Sequence, residues 1–510
     1  MGLKSFFGKI YAKSAVKQIK KWSANPIKTQ QDVFQSLISQ ATKTAFGKDH
    51  NFSSIKTYED FKKSVPIRDY EDLKPYIERI RKGEENVLWE GRPIYFCKTS
   101  GTTSGTKYIP ISAASISNHI DCARNALLCY INESGNTEFI NGKMMFLQGS
   151  PTLNEENGIP IGRLSGIVAH HVPSYLLKNR LPSLAANCIE DWETKVDAII
   201  AETIDKDMTL ISGIPPWVQM YFEKLIEKSG KETVKELFKN FSLFVHGGVN
   251  FEPYRQTFER LIGKKIDTIE TYPASEGFIA FQDSQTEEGL LLILDKGIFY
   301  EFIPVTEFHN ENPTRFSIGE VEIGINYVLI LNTNAGLWGY NIGDTIKFVS
   351  MSPCRIIVTG RIKHFISAFG EHVIAEEVEY ALKVAVQTQL CEINEFHVAP
   401  QTSPKDGETA HHEWFIEFAT KPTNLDRFVL DIDKVLQEKN SYYFDLRKGN
   451  MLDCLQITII PVGGFNTYMK SQGKLGGQNK TPRLSNDRVL ANKLTGDYSN
   501  SNDLITASTS

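Results

Sequence analysis

Between residues 189 and 276 the apolar positions switch repeatedly between helical and strand periods, the primary signal of secondary structure in a sequence. The 3.6-residue spacing predicts helices over 191–203, 217–228 and 252–262. Short apolar runs between them predict strands over 208–212, 243–246 and 266–272. That alternation is βαβαβ, which brings the carboxyl ends of parallel strands to one sheet edge, where open α/β sheets bind ligands. Three segments leave the strands at that edge: Ser212-Gly213 ahead of Pro215-Pro216-Trp217, then His246-Gly247-Gly248, then Tyr272-Pro273-Ala274-Ser275-Glu276. Two are glycine turns that admit a ligand close to the backbone, and the third delivers an aromatic ring, a hydroxyl and a carboxylate.

From 289 to 358 the pattern becomes hairpin-like, with strands expected over 290–294, 297–303, 319–325, 327–332, 344–349 and 355–359. Beyond Gly360-Arg361 the chain restarts with helices over 374–390 and 425–438 and strands near 395–398 and 413–418. The expected fold is α/β. A large N-terminal domain over 1–360 combines a parallel βαβ sheet with an antiparallel sheet or barrel, and a smaller mobile α+β domain covers 361–490. Residues 491–510, rich in Ser, Asn and Thr, are expected to be a disordered tail.

At the start of the chain, Lys4, Lys9, Lys13, Lys17, Lys20 and Lys21 precede the first acid, Asp32, and alternate with Phe6, Phe7, Ile10, Tyr11, Val16, Ile19 and Trp22. This is a basic amphipathic helix, expected to pack an apolar face on the domain, with membrane-surface contact as the alternative. It lacks the continuous apolar core of a signal peptide, and Phe6 stands where a myristoylation pattern needs a hydroxyl. Composition narrows the class further. With 41% hydrophobic and 23% charged residues the chain is globular, and a net charge of −5 removes the basic field that a nucleic-acid binder needs. Seven scattered cysteines with no CxxC pair suit a reducing, cytoplasmic setting. No apolar run approaches the ~18 residues of a membrane span. His170-His171 and His411-His412 do not form HExxH, and no serine sits in GxSxG.

The sharpest local signal is Lys98-Thr99-Ser100-Gly101-Thr102-Thr103-Ser104-Gly105-Thr106-Lys107, which follows a strand-like run. Its hydroxyls and glycines supply the flexible, donor-rich backbone that a polyphosphate needs, although the Walker pattern does not fit. In its order of residues this loop resembles the phosphate-binding motif of adenylate-forming enzymes, in particular the Gretchen Hagen 3 (auxin-responsive promoter type) family of acyl-acid amido synthetases. Tyr272-Pro273-Ala274-Ser275-Glu276 resembles the second motif of that family and Tyr340-Asn341-Ile342-Gly343-Asp344 the third. Gly360-Arg361 is similar to the turn before the mobile domain, and Gln478-Asn479-Lys480-Thr481-Pro482-Arg483 to the C-terminal lysine segment. The five stretches occur in family order.

The resemblance implies a fold, an activity and roles. The activity is ATP-dependent adenylation of a small carboxylic acid followed by acyl transfer to an amino acid amine, releasing AMP and pyrophosphate. Ser100, Gly101, Thr102, Thr103, Ser104 and Gly105 would hold the phosphates of ATP, Tyr272 and Ser275 would line the nucleotide site, and Asp344 with Arg361 nearby would hold the ribose. Glu276 would help hold Mg²⁺, and Lys480 would be the catalytic lysine, with Lys474 and His372 as its rivals. Trp217, Val168 and Tyr175 are candidate apolar walls for the acid. Asn341 and Gly339 depart from the family, standing where many relatives carry basic residues. An acyl-CoA ligase and a catalytically silent nucleotide- or acyl-binding protein are the alternatives.

Overall fold

The computed structural model describes residues 3–100, 106–172, 178–189, 192–248, 251, 255–308, 310–362, 365–366, 368–371, 373–402, 404, 409–472, 482–497 and 504–506. The βαβαβ unit forms where the periodicity places it. Strands Met208–Ser212, Leu243–Gly247 and Asp267–Ala274 pair in parallel, in the registers Leu210↔Leu243 and Leu243↔Asp267. Helices Trp192–Thr203, Pro215–Ser229 and Arg255–Ile262 alternate with them. Met208, Leu210, Ile211, Leu243 and Phe244 are buried, as continuous apolar runs are in parallel strands covered on both faces. Lys143–Phe146 pairs in parallel with Met208–Ser212, and Arg180–Leu181 closes that side.

On the other side the two-residue turn Ser275-Glu276 reverses the chain from Asp267–Ala274 into Gly277–Phe281. From that turn the pairing is antiparallel, through Leu290–Leu292, Cys354–Arg361, Tyr340–Met351, Asn326–Thr333 and Ile298–Pro304. The parallel and antiparallel halves are therefore one eleven-stranded sheet, and the Tyr-x-x-Ser-Glu segment sits at its switch of direction. Residues 319–325 are not the expected strand. They make a single bridge, Ile323↔Phe348, and Ile323 and Ile325 are exposed, so their alternation has no neighbouring strand to bury it.

The strands on either side of the phosphate-loop candidate pair with each other as a hairpin. Tyr95–Ser100 pairs antiparallel with Thr106–Ile111, from Tyr95↔Ile111 to Ser100↔Thr106, and in parallel with Ile159–Gly162 in a small separate sheet. Burial of Phe96, Cys97, Ile109 and Ile111 fixes its base.

After Arg361 the chain builds a second sheet in the order Glu392–Gln401, His411–Thr420, Gln456–Ile460, Leu504–Thr506. The middle two strands are parallel, and helices Leu425–Lys439 and Ser441–Lys448 lie on the crossover between them. The expected disorder over 491–510 is corrected in part. Helix Val489–Asp497 buries Leu490, Ala491 and Leu494, and Leu504–Thr506 pairs with Gln456–Ile460. Leu490 and Leu494 stand one helical turn apart, a pattern that the polar composition around them conceals. Among the described residues no helix is long and apolar enough to cross a membrane.

Candidate active site

The strands flanking the phosphate-loop candidate, the Tyr272–Glu276 segment and the Tyr340–Asp344 segment meet at the carboxyl end of strand Asp267–Ala274. Ser275, in the turn, accepts a hydrogen bond from the Cys97 thiol at 3.1 Å, which ties the second motif to the phosphate hairpin. Burial pushes the Cys97 thiol up to about 12, so the sulfur keeps its proton and donates. Lys107, on the returning strand of the hairpin, donates to the Tyr340 hydroxyl at 3.4 Å. Tyr340 in turn donates to a Glu276 carboxylate oxygen at 3.3 Å. The Tyr272 hydroxyl donates to Asp344. Asp344 is 5% exposed and lies opposite Arg361 in the antiparallel register. Motifs that are separated by as many as 233 residues thus touch through Lys107, Tyr340 and Glu276 on one side and Tyr272 and Asp344 on the other.

Local geometry explains the departures at 339 and 341. Gly339 has φ +56°, and a Cβ there would lie 2.4 Å from the Pro66 carbonyl oxygen. Its own carbonyl accepts from Arg68 N at 2.8 Å, and Asn341 N donates back to Arg68 O at 2.8 Å. This close approach leaves no room for a side chain. Asn341 is used locally, its Oδ1 accepting from Gly343 N at 2.8 Å and shaping the turn into Asp344. Gly339→Ala should therefore lower the midpoint of thermal unfolding, with a loss on the order of 2 kcal/mol or more from left-handed strain and the clash together. A melt indistinguishable from the parent would show that the Arg68 segment yields.

The other candidates fall as follows. Ser100 ends its strand opposite Thr106. Gly101, Thr102, Thr103, Ser104, Gly105, Tyr175, His372, Lys474 and Lys480 lie outside the described residues. Trp217 opens the helix that follows Ser212-Gly213, buried in the core between that helix and the sheet. Val168 is half-buried on helix Leu164–Ala169, which packs on the phosphate-hairpin strand.

Four residues beside the site, Tyr442, Arg163, Asp445 and Lys195, carry no local signal in the sequence. Helix Ser441–Lys448 of the second domain lies against the hairpin, with the Tyr442 hydroxyl hydrogen-bonded to the Thr99 side chain. Arg163 donates to Asp445 at 3.0 Å, and its guanidinium stands 4.9 Å from the Tyr442 ring centroid. Arg163 also packs against Gly149, just beyond strand Lys143–Phe146. Beside it, Lys195 donates to the carbonyls of Gln148 and Asn187 at 3.2 and 2.7 Å. Burial, reinforced by Arg163, brings the Lys195 ammonium down to about 8. The partners Arg163 and Asp445 are 282 residues apart, beyond the reach of any periodicity.

The topology is that of the adenylate-forming enzymes. Over 97% of this chain and 96% of the other, the structure matches the acyl acid amido synthetase GH3.15 in complex with 2,4-DB, with a TM-score of 0.61 at 16% identity. It also matches 2-hydroxyisobutyryl-CoA ligase, with a TM-score of 0.53 at 12% identity over 96% and 92% of the two chains. The GH3 family N-terminal domain matches residues 15–185 and 176–266, its central domain 291–361 and its C-terminal domain 376–489, and the chain belongs to the GH3 family. Jasmonoyl–L-amino acid synthetase JAR4 of Nicotiana attenuata is 22% identical over 559 residues, covering 92% of this chain and 94% of that protein. Indole-3-acetic acid-amido synthetase GH3.15 of Arabidopsis thaliana is 24% identical over 571 residues, covering 94% of each.

Proposed function

We propose that the protein is an acyl-acid amido synthetase that joins a small carboxylic acid to an amino acid at the expense of ATP. The observation that carries the reading is the convergence of the phosphate hairpin, the Ser275-Glu276 turn and Asp344 at the sheet's switch of direction, in a chain of the GH3 family. In the first half-reaction a carboxylate oxygen attacks the α-phosphorus of ATP and pyrophosphate leaves, giving an acyl-adenylate. In the second, the amine nitrogen attacks the acyl carbon, AMP leaves and the nitrogen loses a proton. Both steps rest chiefly on positioning and on charge stabilisation at phosphorus.

The chain's residues divide that work. The hairpin residues 100–105 hold the phosphates, with Lys107 behind them. Tyr272 and Ser275 line the nucleotide, and Asp344 with Arg361 holds the ribose. Trp217, Val168 and Tyr175 bound the acid. Among the described residues no cluster of three or more His, Cys, Asp or Glu could cage a metal ion. A lone carboxylate at a turn suits Mg²⁺ carried mainly by substrate oxygens, and Glu276 is that carboxylate. When bound, the ion neutralises phosphate charge.

Pyrophosphate exchange into ATP across a panel of carboxylic acids tests the first half-reaction, and mass analysis of products formed with amino acids or with CoA tests the second. An amide supports the proposal. A thioester without amide would make the protein an acyl-CoA ligase, and no exchange with any acid would favour a silent binding protein.

The contact of helix Ser441–Lys448 with the hairpin yields a further prediction. The Arg163 and Asp445 side chains are 36% and 41% exposed, so the pair contributes ~1 kcal/mol or less to this arrangement. Arg163→Glu and Asp445→Arg should each change the ratio of exchange rate to amide-forming rate by about 5-fold or less, and the double reversal should restore it. Additive losses in the double variant would show that the pair does not couple the domains.

A further inference from the structure

The first helix, Leu3–Ser23, has two faces able to bury apolar surface, and the fold uses one. Ser5, Ala12, Ile19 and Ser23 are buried, and the helix packs along Ile116–Ser134. Away from that interface Phe6, Phe7 and Ile10 are 54%, 58% and 52% exposed, and Tyr11, at its border, is 50% exposed. Isolated exposed apolar residues need no explanation, but four large ones within two helical turns form a patch. The Phe6 and Phe7 rings meet edge to face at 5.7 Å, and Arg124 stands 5.7 Å from the Tyr11 ring centroid.

The same outward side carries the cations. Phe6, Ile10, Lys13, Lys17 and Lys21 follow one another at spacings of four, three, four and four, which keeps them within an arc of about 80°. Lys13, Lys17, Lys20 and Lys21 are exposed. No acid occurs before Asp32, although the whole chain carries a net charge of −5. The stripe is apolar at one end and cationic along the rest, on a protein that is otherwise acidic.

We infer that this stripe docks on the surface of an anionic lipid bilayer, with Phe6, Phe7, Ile10 and Tyr11 entering the boundary between headgroups and acyl chains and the lysines facing anionic headgroups. Charge complementarity selects this occupant. A second copy of the chain could cover the aromatic side chains, but it would bring no anionic partner to the lysines, which no acid precedes or intersperses. A nucleic acid would neutralise the lysines and leave four apolar side chains in water. A surface that is apolar beneath and anionic above satisfies both halves of the stripe.

The test is flotation of the full chain with vesicles of phosphatidylcholine alone or of equimolar phosphatidylcholine and phosphatidylglycerol. Binding is expected to the anionic vesicles only, falling as salt is raised. Phe6→Ser/Phe7→Ser/Ile10→Ser/Tyr11→Ser and Lys13→Glu/Lys17→Glu/Lys20→Glu/Lys21→Glu should each weaken it by about 10-fold or more. The single variant Tyr11→Trp, which keeps an aromatic ring and the native fold, should show blue-shifted difference emission on anionic vesicles. Three results overturn the inference: equal binding to neutral vesicles, undiminished binding by the folded variants, or no Tyr11→Trp shift. Light scattering that finds a dimer dispersed by the four serine substitutions, with no vesicle binding by the parent, would assign the face to a second copy instead.

Discussion

Asp344→Ala should raise the KM for ATP by about 10- to 100-fold in pyrophosphate exchange while changing kcat much less. Hydrogen bonds to a charged group contribute roughly 1.5–3 kcal/mol each, and a carboxylate on the ribose hydroxyls acts equally in the ground and transition states. Asp344 is placed for this. It is 5% exposed, follows the Gly343 turn and accepts from Tyr272, the residue proposed to line the nucleotide. Its removal also leaves the Tyr272 hydroxyl without that acceptor, so the comparison includes Tyr272→Phe and the double variant. If Asp344 acts on ATP directly, the double variant keeps most of the KM effect of Asp344→Ala. If Asp344 only orients Tyr272, Tyr272→Phe alone reproduces it. A change in thermal midpoint with KM unmoved would reduce Asp344 to a turn residue.

The parts of this site that were legible in the sequence are those encoded locally. Alternating periodicities placed the strands that end at Ser212, Gly247 and Ala274 to within a few residues, the first two because parallel strands covered on both faces are largely apolar runs. Hydroxyl and glycine order marked the hairpin between Ser100 and Thr106. What the sequence could not carry is pairing at long range. Lys107, Tyr340 and Glu276 are linked only once strand order brings positions 107, 276 and 340 together, and no spacing rule reaches across 233 residues. The Arg163–Asp445 pair is a sharper case, since its partners belong to different domains. The strand expected over 319–325 and the part of the tail that forms helix Val489–Asp497 departed from expectation for complementary reasons. One had alternation without a neighbour to pair with. The other had its helical pair Leu490 and Leu494 diluted by a polar composition.

The first helix shows the same limit from the other direction. Packing on the domain and contact with a membrane surface were alternative readings of one amphipathic pattern. The structure shows that a helix this rich in apolar residues has two faces, one buried on Ile116–Ser134 and one exposed at Phe6, Phe7, Ile10 and Tyr11. A single apolar stripe read from the sequence merges the two, because both contribute to the same composition.

Lys480→Ala should lower exchange by about 10²- to 10³-fold with little change in ATP affinity. Negative charge builds on the α-phosphoryl oxygens as the acid attacks. A cation that meets those oxygens in the transition state more closely than in bound ATP accelerates the step, and loss of one such donor typically costs that factor. Lys480 itself lies outside the described residues, but its flanks fix which body carries it. Helix Gly464–Ser471 precedes it, and after it Val398 N donates to Arg483 O at 2.9 Å while Leu484 bridges to Val398. Arg483 also pairs with Glu379 at 2.5 Å. Both flanks pack on the elements that follow Arg361, so the proposal is that this part of the chain carries the lysine to the α-phosphate. The part of the chain after Arg361 also carries helix Ser441–Lys448, whose Tyr442 and Asp445 contact Thr99 and Arg163. Aminolysis of a supplied acyl-adenylate needs no charge build-up on the α-phosphoryl oxygens toward a pyrophosphate leaving group. It should therefore survive Lys480→Ala far better than exchange does. Lys474→Ala and His372→Ala are the matched comparisons, and each should leave exchange within a few-fold of the parent. An equal loss in exchange and in aminolysis for Lys480→Ala, or a larger loss for either comparison variant, would move the role to the other residue.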